Sequence, residues 1–328
     1  MKISDLILFL KSRTGRDSKK AFFARLLRLA VLSCYVPSWK IKLWNLKRQY
    51  PTGQLPRQVG RNMMLLDLAD KGIHSHLAVN GIREPYITQA LRSRLQKGEV
   101  VVECGANIGY YALQEARLVG EAGYVYAVEP VLASLNRLKE NILANGLTNI
   151  KTYSCALGNR NGRGVIKFGT ESNLATMADA TPFRKFRDGY EVGMLTLDTF
   201  LEDKRQPTYL RMDVEGYEYE ILKGARQLLA SNIPLRMFIE MHFNILGQEK
   251  VKALGELLKT AGFEVEVASL EPHPMVYGAW LGGKVIKQLD KAIGFPTGYV
   301  PLTIDDLCND KRIISGQIEW LEVLFKRG

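Results

Sequence analysis

The sequence predicts an α/β protein with a mostly parallel central sheet and helices on both faces. From residue 99 onward, short apolar runs typical of strands alternate with segments of helical period. Such alternation is typical of βαβ units, whose strands run parallel. A turn bracketed by Gly105 and Gly109 follows the first of these strands, and acidic residues follow several of them. Open α/β sheets bind ligands at that end of their strands, so the same pattern predicts a binding site.

The elements of this sheet follow one another in chain order. We predict strands at 99–104, 123–128, 150–155, 208–213, 235–241 and 263–268, and a final strand at 318–325. The helices between them are predicted at 109–119, 131–145, 217–230 and 248–261. Upstream, we predict basic apolar helices at 3–10 and 19–35, short strands within 62–80, and a helix at 86–96.

Charge separates the N-terminal third of the chain from the rest. The whole chain carries a net charge of +11, but residues 1–50 alone carry +10 and residues 51–98 carry +4. The remainder is therefore nearly neutral, and the high isoelectric point does not describe the ligand-binding part. We predict a basic helical extension at 1–60, strands and a helix that pack on the core at 61–98, and the ligand-binding domain at 99–328 with an insertion at 271–316.

Cysteine spacing and hydropathy indicate where the protein works. The four cysteines are far apart, at Cys34, Cys104, Cys155 and Cys308. They form no cluster with metal-ligand spacing, so we predict free thiols in a reduced, cytoplasmic setting. The apolar run at 21–36 is interrupted by arginines, is too short and charged to span a bilayer, and lacks a signal-peptide cleavage site.

The segment around the first strand carries the sharpest ligand-binding pattern. The strand ends at Glu103, and Gly105 lets the backbone approach a ligand because it has no Cβ. The helix that follows begins with unpaired N–H groups. Glu129 closes the next strand, 20 residues beyond Gly109. That spacing suits a carboxylate that accepts hydrogen bonds from two ribose hydroxyls.

The sequence of the same turn indicates which class of cofactor binds there, a dinucleotide with a pyrophosphate or an adenosyl cofactor with an amino-acid tail. It lacks the third glycine expected where a pyrophosphate rests on the helix, and Glu103 would repel a phosphate. An adenosyl cofactor with a cationic amino-acid tail would be favoured there instead. An NAD-type Rossmann oxidoreductase and a non-catalytic adenosyl- or glycan-binding protein stay open as alternatives.

Two further strands also end in ionisable residues. Asp213 closes one strand, and Glu215 lies in the turn beyond it. Glu240 and His242 are two residues apart, so they share one face of another strand. Because burying so many ionisable groups is costly, stability alone does not explain them, and we expect them at the site.

Taken in order, these motifs resemble the FkbM family of methyltransferases. The matching strings, over roughly residues 80–270, are ECGANIGYYAL, VEP, TLDTF, LRMDVEGYE, LKGA and IEMH. The resemblance implies a class I methyltransferase with a Rossmann-like fold, whose seven-stranded sheet is mostly parallel with an antiparallel last strand. It also implies S-adenosyl-L-methionine as the donor, and O-methylation of a hydroxyl on a sugar, a glycolipid or a similar small acceptor.

The resemblance further implies which residues bind the cofactor. They are Glu103, Gly105, Asn107, Gly109, Glu129, Pro130, Ala156, Leu157 and Asp213. Glu103, Gly105 and Gly109 would hold the methionine part. Glu129 would hold the ribose, and Ala156 and Leu157 would border the adenine. The family usually has Lys where this chain has Arg211, and an arginine cannot lose its proton to act as a base.

Methyl transfer to a hydroxyl requires a group that removes its proton. His242 is the first candidate base, since a neutral imidazole suits that task near pH 7, and Asp213 is the second. A histidine satisfied by the backbone and a carboxylate that only positions the cofactor are the alternatives. Glu84, Glu215 and Glu240 are candidate substrate residues. We predict no metal site, although Asp213, Glu215, Glu240 and His242 together could ligate a divalent ion.

The acceptor and other partners are predicted from segments outside these motifs. The irregular loop at 170–195 and the insertion at 271–316, with Tyr277, Trp280 and Tyr299, are candidate walls of the acceptor site. The basic N-terminus predicts peripheral contact with an anionic membrane surface, with a helical cap on the core as the alternative. Nucleic acid is not an expected partner, because no aromatic-basic RNA module is visible.

Overall fold

The computed structural model describes residues 37–169, 175–178, 187–270, 298–316 and 318–328. The helices predicted at 3–10 and 19–35 lie outside this part of the chain. So do half of the predicted loop at 170–195 and the stretch of the predicted insertion that holds Tyr277 and Trp280.

The described chain contains the following strands and helices in chain order. The strands are β1 (Gln54–Val59), β2 (Asn62–Asp67), β3 (Val100–Cys104), β4 (Tyr124–Val128), β5 (Ile150–Tyr153), β6 (Ala156–Gly158), β7 (Gly162–Phe168), β8 (Ala175–Thr176), β9 (Arg187–Thr196), β10 (Tyr209–Met212), β11 (Leu235–His242), β12 (Glu264–Leu270), β13 (Gly298–Val300) and β14 (Trp320–Arg327). The helices are α1 (37–49), α2 (Ile73–Asn80), α3 (Pro85–Arg94), α4 (Tyr110–Val119), α5 (Leu132–Ala144), α6 (Leu197–Leu201), α7 (Glu218–Lys223), α8 (Arg226–Ala230), α9 (Phe243–Thr260), α10 (Ile304–Asn309) and α11 (Lys311–Ile314).

A central sheet has the strand order β13-β12-β14-β11-β10-β3-β4-β5. Neighbouring strands from β5 to β11 pair parallel. The last strand, β14, inserts between β11 and β12 and is antiparallel to both. The predicted mostly parallel sheet with an antiparallel last strand is thus confirmed. It has an eighth strand because the short β13, from the predicted insertion, adds antiparallel to β12.

Both faces of the sheet are covered, as its sequence pattern requires. Val100 and Val102 of β3 pack into one apolar core, together with residues of α7, α8 and α9. Val101 points to the opposite core, which contains residues of α2, α3, α4 and α5. Side chains alternate between the faces of a strand, so a strand buried on both sides reads as the unbroken apolar run Val100-Val-Val.

Two smaller sheets flank the central one. The hairpin β1–β2 turns at Gly60, whose φ is 59°. Its residue Met63 donates its backbone N–H to Asn145, which caps α5, and Leu65 donates to Asn141 within α5. A four-stranded sheet with the order β6-β9-β7-β8 lies beside the ends of the central strands. Within the described ranges, every helix is too short or too polar to cross a membrane.

The structure corrects several predicted boundaries. The strand predicted at 150–155 ends at Tyr153, and Ala156 begins a strand of the smaller sheet. The helix predicted at 217–230 is two helices separated at Gly224 and Ala225. A Cβ at Gly224 would lie 2.0 Å from the carbonyl oxygen of Gly158, so contact with β6 governs the chain there. The helix predicted at 248–261 begins earlier, at Phe243, with a break at Gly247.

Candidate functional site

A cleft of about 610 Å³, partly open to solvent, lies at the carboxyl ends of β3, β4 and β10. Its lining includes most of the predicted cofactor residues, namely Gly105, Asn107, Glu129, Pro130, Ala156, Leu157 and Asp213. Ile166 of β7, Ala175 of β8 and Met177 just beyond β8 add an apolar wall to the cleft. Ala175 and Met177 belong to the loop predicted at 170–195, which was a candidate wall of the acceptor site. A neighbouring cavity of about 380 Å³ shares Gly105, Asn107 and Asp213 with the cleft.

Glu129 lines the cleft directly after the end of β4. Its carboxylate accepts the backbone N–H of Asn107 at 2.7 Å and that of Val131 at 2.8 Å. Burial raises its pKa to about 7, although the two N–H groups act in the opposite direction. Each oxygen retains acceptor capacity, so the geometry suits hydroxyl donors within the cleft.

Gly105 is a glycine because two strand ends meet at this point. Its φ is 82°, and a Cβ there would lie 2.2 Å from the carbonyl oxygen of Asp213. Its own N–H donates to the carbonyl oxygen of Val128 at 3.0 Å. The backbone of the β3 turn is therefore exposed to the cleft without a side chain in the way, as an adenosyl ligand would need.

Gly109 is predicted to hold the methionine part, but the structure explains it by packing. It precedes α4 with a φ of 92°, and a Cβ there would lie 2.5 Å from Cδ1 of Leu138 in α5. In the described chain, Gly109 is not among the residues that line the cleft or the neighbouring cavity.

Glu103 lies in the neighbouring cavity and is fully buried. Its Oε1 pairs with Nη1 of Arg211 at 2.7 Å, and the Arg211 guanidinium lies 3.6 Å from the centre of the Tyr111 ring. Burial raises the pKa of Glu103, while Arg211 lowers it. One oxygen of Glu103 is therefore already bound by Arg211. Only the other oxygen is available for the predicted contact with the methionine part of the cofactor.

Arg83 also lines the neighbouring cavity, and sequence reasoning missed it. Burial opposes its charge, but Glu84 and Asp213 outweigh burial and raise the pKa of Arg83. Glu84 itself pairs with Arg83 and accepts the Tyr111 hydroxyl at 2.6 Å. Glu84 thus positions the Arg83 cation, and its role as a substrate residue stays a prediction. The only sequence signal for Arg83 is that it stands directly before the Glu84-Pro85 turn.

His242 is surrounded by carboxylates. Its Nδ1 donates to Oε1 of Glu218 at 3.0 Å, and its Nε2 lies 3.4 Å from Glu215 and 3.6 Å from Glu240. Burial lowers the pKa of His242, but Glu215 and Glu218 prevail and raise it to about 9. A pKa above 7 favours the protonated imidazole at neutral pH, so this arrangement argues against the predicted neutral base. Glu218 belongs to α7, which the strand-end pattern does not reveal.

Asp213 joins the cleft to this cluster. Burial raises its pKa, but Arg211, Arg83 and His242 together lower it below its ordinary value. Oδ2 of Asp213 lies 3.6 Å from Nη2 of Arg211. A carboxylate held ionised is a weak proton acceptor and a good partner for a cation, so the geometry favours cation binding by Asp213 over a role as base.

Comparison with known proteins identifies the domain type. The sequence model of the Methyltransferase FkbM domain matches residues 103–265. Protein-L-isoaspartate O-methyltransferase of Ignicoccus hospitalis is 35% identical over 65 residues, which is 20% of this chain and 30% of that protein. The matched segment thus spans less than a third of this curated relative.

Solved structures with similar folds share little sequence with this chain. Precorrin-6y C5,15-methyltransferase of Geobacter metallireducens is 12% identical, with a TM-score of 0.39, over 75% of this chain and 91% of that one. A SAM-dependent methyltransferase of Aquifex aeolicus is 17% identical, with a TM-score of 0.36, over 62% of this chain and 89% of that one. Similarity at this level does not bear on the acceptor.

Proposed function

The chain belongs to the FkbM family of S-adenosylmethionine-dependent methyltransferases, and from that premise we propose that it methylates a hydroxyl group of a sugar, a glycolipid or a similar small acceptor. The family match removes the alternative of a nicotinamide-dependent oxidoreductase. The alternative of a non-catalytic adenosyl- or glycan-binding protein is decided by the test below. A protein carboxyl acceptor is the other outcome, since the matched relative is named an O-methyltransferase of protein isoaspartate.

One observation carries the proposal, namely the two adjoining cavities that share Gly105, Asn107 and Asp213. The cleft combines an apolar wall with the Glu129 carboxylate, which suits adenine and the ribose hydroxyls. The neighbouring cavity presents Arg83 beside acidic groups, which suits the carboxylate and the ammonium of the amino-acid tail. S-Adenosylmethionine supplies an electrophilic methyl group, and these residues would orient it.

The roles of individual residues follow from this fit. We assign Glu129 to the ribose hydroxyls, Ala156 and Leu157 to the adenine, and Arg83 to the methionine carboxylate. Asp213 would accept the ammonium, with Glu103 contributing through the oxygen that Arg211 leaves free. The main-chain groups of Gly105 and Asn107 would border the sulfonium side of the cleft.

The test is transfer of tritium from methyl-labelled S-adenosylmethionine to soluble-glycan and lipid fractions. A hydroxyl acceptor yields a methyl ether, whose label survives mild alkali, whereas a methyl ester loses its label. We expect alkali-stable label with the wild-type protein and at least tenfold less with Glu129→Ala. The matched control is Glu140→Ala, on the exposed face of α5. Alkali-labile label, or none in any fraction, contradicts the proposal.

We also propose a cytoplasmic location with peripheral contact at an anionic membrane surface. On α1, Ile41 and Trp44 are exposed, and basic residues such as Lys42 and Arg48 flank them. Apolar and basic side chains on one short helix suit the boundary of an anionic bilayer. Sedimentation with phosphatidylserine vesicles tests this, and equal sedimentation of wild type and Trp44→Ser would contradict it.

A further inference from the structure

The ends of β10 and β11 bring together a group that we call the acid–histidine cluster, made up of Asp213, Glu215 and His242. One ligand atom from each residue lies within 4.8 Å of the others. The Nε2 atom of His242 and Oε2 of Glu215 are 3.4 Å apart. Atoms bound to one small divalent cation at about 2.1 Å lie roughly 3 to 4 Å from one another, so shifts of a fraction of an ångström would bring these atoms into that range.

A second observation points independently to a ligand at the cluster. Glu240 is only 8% exposed, and its Oε2 has no hydrogen-bond partner in the part of the chain that the structure describes. Its carboxyl group faces the cluster, since its Oε1 lies 3.6 Å from Nε2 of His242. A buried polar atom left without a partner costs free energy, and a bound cation would remove that cost.

The orientation of His242 also suits a metal ligand. Its Nδ1 is occupied by Glu218 at 3.0 Å, and Glu218 Oε1 accepts the N–H of Gly216 as well. This leaves Nε2 directed at Glu215 and Glu240, and a cation bound there would take the place of the Nε2 proton, which would be released to solvent. Histidines that bind metals usually donate their other ring N–H to a carboxylate, which fixes the orientation of the ring.

The charges around the cluster are unbalanced in the direction that favours a cation. Four carboxyl groups, those of Asp213, Glu215, Glu218 and Glu240, surround the single imidazole of His242. Each of the nearest guanidinium groups has a closer carboxylate partner, Glu103 for Arg211 and Glu84 for Arg83. Arg211 also reaches the edge of the cluster, where its Nη2 lies 3.6 Å from Oδ2 of Asp213.

We propose that Asp213, Glu215 and His242, with Glu240 beside them, form a binding site for one divalent cation such as Mg²⁺ or Mn²⁺. Three carboxyl groups and one imidazole make a predominantly oxygen ligand set, which suits these ions better than a thiol-rich site would. The prediction of no metal site, made from the sequence, is replaced by this proposal.

The location of the ion indicates which hydroxyl compounds could be the acceptor. This inference rests on the proposed function. Asp213 also lines the cleft that we assign to the cofactor, so an acceptor bound at open positions on the ion would lie beside the methyl donor. The ion would bind two neighbouring oxygens, as in a vicinal diol or a hydroxy acid, and lower the pKa of one hydroxyl. That hydroxyl would release its proton to solvent, its oxygen would take the methyl group, and S-adenosylhomocysteine would remain.

The test is a titration of the full-length protein with Mn²⁺, followed by the electron paramagnetic resonance signal of the free ion. We expect one saturable site per chain, competed by Mg²⁺, and at least tenfold weaker binding in Asp213→Asn and in Glu215→Gln. The matched control is Glu220→Gln on α7, a carboxyl that pairs with Lys250 at 3.2 Å outside the cluster. Its affinity should equal that of the wild type.

The absence of saturable Mn²⁺ binding by folded wild-type protein overturns the proposal, as does undiminished binding by both cluster variants. Circular dichroism shows whether each variant is folded, and the wild-type titration decides even where a variant is not. Calorimetry with S-adenosylhomocysteine on the same sample separates the two proposals. Cofactor binding without Mn²⁺ binding overturns the metal site alone, and Mn²⁺ binding without cofactor binding supports the metal site while contradicting the proposed function.

Discussion

Glu129 illustrates how burial adapts one carboxyl group to its site. Its pKa is about 7 in the folded protein, above the ordinary value of 4.5. Between these values the folded chain binds more protons than the unfolded chain, so this group makes folding less favourable as pH rises from about 4.5 to about 7. The effect is on the order of 3 kcal/mol at and above pH 7. The fold therefore tolerates an ionised carboxylate that a hydroxylated ligand can use.

Cofactor binding should consequently depend on pH. Ribose hydroxyls donate to an ionised carboxylate, so binding favours the deprotonated form of Glu129 and releases a proton below about pH 7. We expect the affinity for S-adenosylhomocysteine to fall as pH decreases from 8 to 5.5. Calorimetry across this range measures the effect, and Glu129→Gln should bind more weakly with a flatter profile. An equally steep pH dependence in Glu129→Gln would assign the effect to another group.

Gly105 allows a second test at the level of one residue. Gly105→Ala should lose about 3 kcal/mol of stability, because the new Cβ meets the Asp213 carbonyl oxygen in addition to the strain of a positive φ. Gly98→Ala is the matched control, since Gly98 has a φ of 85° but no heavy atom within 4 Å of a Cβ. It should lose about 1 kcal/mol. Urea unfolding compares the two, and equal losses would show that the close approach to Asp213 has no energetic effect.

At the scale of elements, the ion pair between Arg211 and Glu103 joins the two central strands. The residues are partners in the parallel register of β10 and β3, and both side chains are fully buried. Arg211→Met would leave Glu103 buried without its cation, which we expect to cost about 3 to 5 kcal/mol. Arg236→Met, in a half-exposed pair with Glu266, should cost at most about 1 kcal/mol. Thermal unfolding that ranks the two variants in the opposite order would contradict this assignment.

The elements also show what the sequence could predict. The strand that contains Glu103 and the strands that end directly before Glu129 and Asp213 were predicted within one or two residues. Strands buried on both faces leave an unbroken apolar pattern in the sequence. The break between the two helices at Gly224 was not predicted, because it depends on contact with Gly158, which is far away in the chain. The four-stranded sheet was missed for the same reason, because its pairing joins distant and irregular segments.

The site was predictable to a similar extent. Residues at strand ends follow from topology, so Glu129 and Asp213 could be placed on one rim in advance. Arg83 and Glu218 come from a turn and a helix outside the strand ends, and only the folded chain brings them to the site. The sequence therefore predicts a neutral base at His242, because it does not reveal all the carboxylates around that residue. In the structure these carboxylates surround the imidazole and raise its pKa.

At the scale of the whole molecule, one rim of the sheet serves two purposes. The ends of β3 and β4 shape the cleft that we assign to the nucleoside, and the ends of β10 and β11 gather acidic groups beside it. Asp213 belongs to both. A methyl donor and an acceptor hydroxyl could therefore meet near one residue, with the cofactor held from one side and the acceptor from the other.

The central claim is that the cleft at the ends of β3, β4 and β10 binds the adenosyl cofactor. Calorimetric titration of S-adenosylhomocysteine into the full-length protein at pH 8 tests it most directly. We predict one site per chain, with binding at least tenfold weaker in Glu129→Ala and unchanged in Glu140→Ala. A folded wild-type protein that takes up no S-adenosylhomocysteine would contradict the claim, as would equal affinity in wild type and Glu129→Ala.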